Sequence, residues 1–282
     1  MRHKVAVTGA SGFIGRHVVR ALLDLDVDIT AVSRDPTLFS GLSDQLMVVQ
    51  LDLSAPGDKI FDRLGRPDVL LHLAWGGLPN YRSLYHFETE LPRHYVFLRD
   101  LVAGGLTSIL VTGTCFEYGM ESGPLDETLI CRPSTPYGFS KDILHRELQF
   151  LQAGRPFNLV WARLFYLFGE GQAESSLWSQ LNRAVAAGER HFKMSGGEQL
   201  RDFLPVTEVA RYLAKLALTQ QELGPVNVCS GRPQSVRNLV QSWIRQYDWE
   251  IEPNLGVYPY PDYEPMAFWG NRQKLDSILG LS

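Results

Sequence analysis

The chain has 282 residues, 45% of them hydrophobic and 21% charged, with a net charge of −4, which is an ordinary globular balance. That length suits one large domain or a domain with an added lobe, and the charge gives no electrostatic case for nucleic acid or anionic membranes. Cys115, Cys131 and Cys229 are too few and too far apart for a disulfide framework or a metal site, and no apolar run reaches the ~18 residues of a membrane span, so the reading is a metal-free, soluble cytoplasmic protein.

The N-terminus MRHKVAVTGA enters a strand at once, with no signal-peptide pattern. From there strand-like runs alternate with helical ones. KVAVTG, DITAVS, LMVVQLD, DVLLHLAW, SILVTGT and FNLVWARLF are short, β-branched and apolar on both faces, as parallel strands covered by helices are. GRHVVRALLDL, HYVFLRDLVAGG and SKDILHRELQFLQAG lie between them as helices. The order predicts an α/β fold, a doubly wound parallel sheet of the Rossmann type over 1–165. After residue 165 the rhythm breaks. SSLWSQLNRAVAAGE, RDFLPVTEVARYLAKLALT and NLVQSWIRQY add helices, and NLGVYPYPDYEPMAFWG is a wrapped, aromatic loop. Residues 166–282 are expected to form a small C-terminal substrate-binding lobe, with 203–230 returning to the nucleotide domain.

VAVTGASGFIGRHVVRALL places Gly9, Gly12 and Gly15 between a strand and a helix. Gly9 permits the tight turn, Gly12 lets the backbone approach a pyrophosphate, and Gly15 lets helix and strand pack closely. The helix N-terminus then faces the phosphates with free N–H groups. Ser11, Phe13 and Ile14 complete the expected cradle. About 18 residues past Gly15 the second strand ends, at the ribose-binding position. An acidic residue there would bind the 2′-OH of NAD. Ser33 stands there instead, beside Arg34, whose guanidinium matches a 2′-phosphate. NADP(H) is therefore preferred, with NAD(H) possible. The alternative, a solvated loop cation at Arg34, stays open.

PSTPYGFSKDILHREL sets Tyr137 and Lys141 four apart, on one helix face. An ammonium beside a phenol favours phenolate, and the positive charge of an oxidised nicotinamide acts the same way, so the two are expected to bring the Tyr137 pKa from about 10 toward 7, a change worth roughly 4 kcal/mol. Such a phenol exchanges a proton with a carbonyl or an alcohol. Lys141 should also hold the nicotinamide ribose. Thr114, after the strand SILVTGT, can hydrogen-bond the same substrate oxygen.

With GxxGxxG, the stretches TGTCFEYG, RLFYLFGEGQ, EQLRDFLPVTEVA and VNVCSGRPQSVRNL resemble the extended branch of the short-chain dehydrogenase/reductase superfamily, over most of the chain. Those are nucleotide-sugar epimerases, dehydratases and reductases. The resemblance implies that Asp52, at the end of QLD with Leu53 beside it, binds the adenine amino group, although a plain strand-end turn residue is an equal reading. It implies that Ala74 in HLAWGG lies along the cofactor and that Arg201 contacts the nucleotide diphosphate. The 4,6-dehydratases carry an Asp-Glu pair straight after the threonine. Here Cys115 and Phe116 stand there, and neither can do that work. Tyr166 replaces a family asparagine, so Cys115, Tyr166 and Arg201 are the expected substrate contacts. His94 stands where a helix asparagine usually sits and reads as a structural hydrogen-bonder. Tyr258, Tyr260, Tyr263, Phe268 and Trp269 could stack on a base or sugar; packing over the sheet edge is the preferred reading.

Three functions remain open. The chain looks most like the reductases of nucleotide-linked 4-keto-6-deoxyhexoses, using NADPH, with Tyr137 as proton donor. An NAD-dependent 4-epimerase is the alternative. A non-catalytic NADP sensor on the same fold has no need of Thr114, Tyr137 and Lys141. The resemblance also implies a homodimer, built from two helices of the nucleotide domain.

Overall fold

The computed structural model describes residues 2–42 and 44–281. In chain order, the first half holds β1 (His3–Thr8), α1 (Phe13–Leu23), β2 (Val27–Ser33), β3 (Met47–Gln50), α2 (Ile60–Arg63), β4 (Val69–His72), α3 (Leu91–Gly104) and β5 (Ser108–Thr114). Then come β6 (Gly123–Leu125), α4 (Pro136–Gly154), β7 (Asn158–Leu164), β8 (Tyr166–Phe168), α5 (Leu177–Ala186), β9 (His191–Lys193) and β10 (Leu200–Pro205). The chain closes with α6 (Val206–Leu218), β11 (Gly224–Val228), β12 (Pro233–Ser235), α7 (Val236–Gln246), β13 (Glu252–Asn254), β14 (Phe268–Gly270) and α8 (Gln273–Leu279).

Seven strands form one parallel sheet in the order β11-β7-β5-β4-β1-β2-β3. The order reverses beside β1, the switch point at which such sheets bind ligands. Both faces are buried, and the strand period of two divides them. Val5, Val7, Val69, Leu71, Val160 and Ala162 pack with Val18, Leu22, Val209 and Leu213 of α1 and α6. Ala6, Leu70, Ile109, Val111, Leu159 and Trp161 face α3 and α4, meeting Phe97, Leu98, Leu101, Leu144 and Leu148. This is why the strands read as unbroken apolar runs.

Two predicted strands are shorter than the sequence suggests. DVLLHLAW leaves the sheet after His72, whose imidazole turns inward to Thr8 and His94. LMVVQLD is an edge strand ending at Gln50, although the Leu51 N–H still reaches the Ser33 carbonyl at 3.0 Å. The later segments build β12-β10-β8 and β9-β13 around a separate core that includes Leu181, Phe192, Leu239 and Trp243, while β6-β14 packs Leu125 and Phe268 with Cys115, Phe165 and Cys229. The C-terminal helix α8 was not expected from the sequence. It seats Leu275 in the core beside α6.

Candidate functional site

A groove runs along the carboxyl ends of β1 to β4. Gly9, Ser11, Gly12, Phe13, Ile14, Gly15, Ser33, Arg34, Asp52, Leu53 and Ala74 all line it. Its floor fits a dinucleotide phosphate. Gly9 has φ +67°, and a Cβ on it would stand 2.8 Å from Ala74 N; one on Gly15 would stand 2.0 Å from the Gly9 carbonyl. Helix α1 begins after Gly12 with no side-chain cap and no acidic residue in its first turn. Its N–H groups and positive end are thus left for an anion. The Ser33 hydroxyl is engaged, 3.0 Å from Ser11 Oγ and 2.9 Å from the Asp35 carbonyl. Arg34 is exposed, and among the described residues its guanidinium has no hydrogen-bond or ion-pair partner. Backbone and hydroxyl hydrogen bonds from Ser54 hold the Asp52 carboxyl low, with smaller pulls from Arg93 and Arg34.

Thr114, Tyr137 and Lys141 meet at the end of β5. Thr135 caps α4 by accepting from the Gly138 N–H at 3.1 Å, and Pro136 opens the helix, which brings Tyr137 into its first turn. Gly138 makes the approach possible. A Cβ there would lie 2.5 Å from the Phe116 carbonyl, so any other residue would push α4 away from the turn that follows Thr114. The Thr114 hydroxyl accepts from Phe116 N at 3.3 Å. Lys141 is fully buried. Its ammonium donates to the Thr112 carbonyl at 2.8 Å and lies 3.9 Å from the centre of the Trp75 ring.

Within the protein alone, burial acts on the phenol against the lowering expected of Lys141 and an oxidised nicotinamide together. Burial pushes the Tyr137 phenol up, the Thr114 hydroxyl opposing only in part. Burial also lowers the Lys141 ammonium to about 7, against the pull of Glu117 and Glu90. The cause is the box around them. Trp75, Tyr81, His86 and Phe116 pack about Tyr137 with ring centres 5.2 to 6.3 Å away. Without water, either charge is costly.

Beneath Thr114 lies a buried charge pair that the sequence reading passed over. Glu117 accepts from the Thr114 N–H at 2.8 Å, from Trp161 Nε1 at 3.0 Å and from Arg163 Nε at 2.7 Å. Arg163 in turn reaches the Tyr118 hydroxyl and Cys131 Sγ. Thr-x-x-Glu is the capping-box spacing, so TCFE did carry that signal.

On the opposite side, Cys115 is buried with Phe165, Cys229 and Phe268, and burial pushes its thiol up. Arg201 is buried and committed within the protein: it donates to the Leu200 and Met266 carbonyls and pairs with Glu264 at 2.9 Å. The Tyr166 hydroxyl also donates to Glu264. Cys115, Tyr166 and Arg201 therefore share one neighbourhood, closed by the tail. Tyr263 packs on Tyr81 and Phe116, and Asp262 pairs with Arg82. Phe268 packs inside, whereas Tyr258 remains exposed. No helix is long and apolar enough to cross a membrane, and no metal-binding cluster of His, Cys, Asp or Glu occurs among the described residues.

The family model described as NAD dependent epimerase/dehydratase family matches residues 5–229. A dTDP-6-deoxy-L-talose 4-dehydrogenase (NAD(+)) of Aggregatibacter actinomycetemcomitans is 31% identical over 94% of this chain and 98% of its own. A GDP-6-deoxy-D-mannose reductase of Pseudomonas aeruginosa is 28% identical, covering 89% and 83%. The solved structure of MoeE5 in complex with UDP-glucose and NAD superposes with a TM-score of 0.81 at 27% identity, covering 98% and 92%. The chain belongs to the NAD dependent epimerase/dehydratase family. It is an oxidoreductase enzyme with a nicotinamide cofactor.

Proposed function

We propose that this member of the epimerase/dehydratase family reduces the 4-keto group of a nucleotide-linked 6-deoxyhexose with NADPH. The observation that carries the chemistry is the buried phenol of Tyr137 beside Thr114, while the direction rests on the cofactor end at Arg34. A protonated phenol is ready to give a proton to a carbonyl oxygen. Thr114 orients that oxygen, its own backbone fixed by Glu117. When bound, the nicotinamide supplies the hydride. Lys141 would hold the ribose of that cofactor from one helical turn beyond Tyr137, and the walls of Trp75, Tyr81 and Phe116 would keep water from the reacting carbon. The preference for NADPH rests on Arg34, the unpartnered guanidinium at the end of β2, with no acid at Ser33 to repel a 2′-phosphate. The substrate class draws on two relatives whose names specify 6-deoxyhexoses linked to dTDP or GDP, one named a 4-dehydrogenase (NAD(+)) and the other a reductase. A homodimer through α3 and α4 belongs to the same reading, and Val96, Phe139 and Phe150 stand exposed there; light scattering measures it.

The test is oxidation of NADPH or NADH, followed by absorbance, with a panel of 4-keto-6-deoxyhexose nucleotides. Turnover with NADPH is expected. No oxidation with any ketone, together with interconversion of UDP-glucose and UDP-galactose without added cofactor, would replace the reductase by a 4-epimerase.

A further inference from the structure

Two groups at the edge of the groove, Thr8 and Glu90, are joined by an internal chain of hydrogen bonds. Thr8 Oγ1 lies 2.8 Å from His72 Nδ1, His72 Nε2 lies 2.7 Å from His94 Nδ1, and His94 Nε2 lies 3.1 Å from Glu90 Oε2. All four side chains are buried. Only one proton arrangement satisfies them. Hydrogen bonds from His94 and the Gly76 N–H hold the Glu90 carboxyl at about 2 against the push of burial, so it accepts and His94 Nε2–H donates. Burial keeps both imidazoles neutral. His94 Nδ1 therefore accepts from His72 Nε2–H, and His72 Nδ1 accepts from the Thr8 hydroxyl. Trp75 stacks on His94 at 4.6 Å and fixes the ring plane.

The chain ends on a cation. Glu90 Oε1 accepts from Arg93 at 2.8 Å, and Arg93 lines the groove with about a quarter of its side chain exposed. Glu90 also takes the Gly76 N–H, in the strip whose Ala74 touches Gly9. Arg93 thus reaches the groove from α3 and Arg34 from the end of β2, and both pull on the Asp52 carboxyl between them, Arg93 the more strongly.

We propose that Arg93, held in place by the buried chain Thr8–His72–His94–Glu90, is a second phosphate-binding cation of the groove, directed at the dinucleotide's pyrophosphate rather than at its 2′-phosphate. The guanidinium offers paired donors to phosphate oxygens; Glu90 and the Tyr85 hydroxyl hold it from within the protein, and about a quarter of its side chain stays open to the groove. Glu90 and His94 are positioning residues that act through Arg93.

The experiment is equilibrium titration of the full chain with NADPH and with NADH, read by quenching of tryptophan emission, because Trp75 lines the same groove. Arg93→Gln keeps hydrogen bonding to Glu90 and removes the charge. Its dissociation constants should rise about tenfold or more for both dinucleotides alike, with Arg93→Lys in between. Arg34→Ala is the contrast and should weaken NADPH alone. His94→Ala should weaken both dinucleotides, yet add nothing to Arg93→Gln in the double variant, since coupled residues are not additive. Should His94→Ala fail to fold, the two Arg93 variants still decide the matter. Arg93→Gln within twofold of the parent for both dinucleotides would overturn the proposal. So would a loss confined to NADPH, which would put Arg93 at the 2′-phosphate. The inference rests on the nucleotide-binding reading of the groove but not on the sugar: binding of both dinucleotides with no ketone turnover would refute the reductase and leave Arg93 standing.

Discussion

Lys141 offers a direct test of the dry box around Tyr137. Replacing it by Met keeps the stem's volume and deletes the ammonium, so packing costs are small. Burial lowers the Lys141 pKa from 10.5 to about 7. The gap corresponds to about 5 kcal/mol between native and unfolded chains. Because the folded value is the lower one, the unfolded chain binds more protons between pH 7 and about 10, and wild-type stability rises with pH across that window. The lysine's penalty is full below pH 7 and fades as pH climbs. Relative to Lys141→Met, the wild type should therefore gain about 1.4 kcal/mol per pH unit between pH 7 and 10, and nothing between pH 5 and 6. Urea unfolding of both proteins at pH 5, 6, 7, 8 and 9 measures it, with m-values checked for constancy. Parallel stability curves across pH 7 to 9 would show that Lys141 keeps its charge in the folded protein, and the dry-box account would fail.

Other outcomes follow from the same contacts. Tyr137→Phe should abolish ketone reduction while leaving NADPH binding within about threefold of the parent, since only the proton donor is lost; residual turnover near wild type would remove the phenol from the reaction. Arg163→Leu leaves Glu117 as an unpaired buried carboxylate, which should cost about 3–5 kcal/mol and lower the melting temperature by roughly 10 °C. Glu117 is already pushed up by burial, and a raised folded pKa destabilises as pH rises through it. The Arg163→Leu deficit should therefore be larger at pH 8 than at pH 5, and a pH-independent deficit would show that Glu117 is not its source. Glu264→Gln removes the anion that Arg201 and Tyr166 share, so the tail around residues 258–266 should exchange amide hydrogens faster while the central sheet is unchanged. Equal exchange in the tail would mean that the ion pair does not hold it.

Most of the sheet was legible because its signal is local. Alternate residues of VAV, VLL and ILV each face a helix-covered layer, and that doubles as an apolar run in the sequence. The glycine loop was legible for the same reason, since every residue it needs lies between one strand and one helix. What the sequence hides acts across distance. His94 reads as a structural hydrogen-bonder, but its partners His72 and Glu90 read only as a strand residue and a helix-end residue. Only the pairing of β4 beside α3 makes them a chain. Arg201 looked free to meet a diphosphate because Glu264 lies 63 positions away in the tail. Glu117 is the exception, three residues from Thr114 and in a known capping pattern, and it was read only as part of a motif.

The phenol shows why spacing alone misjudges chemistry. Four residues along a helix is near enough for an ammonium to stabilise a phenolate, and in water-exposed surroundings that attraction would decide the matter. Inside the box the same lysine cannot keep its proton cheaply, so the charge expected to act on Tyr137 is weakened by the burial that encloses them both. The desolvation acts on each group first and on their attraction second. Burial by itself chooses no direction. Giving the proton to a ketone leaves the phenolate, and oxidising the product alcohol starts from it, so the box costs both directions about 1.4 kcal/mol for each pKa unit of upward displacement. Only a positive charge beside the phenol offsets that cost, and in this chain the nearest candidate is Lys141, itself weakened by burial.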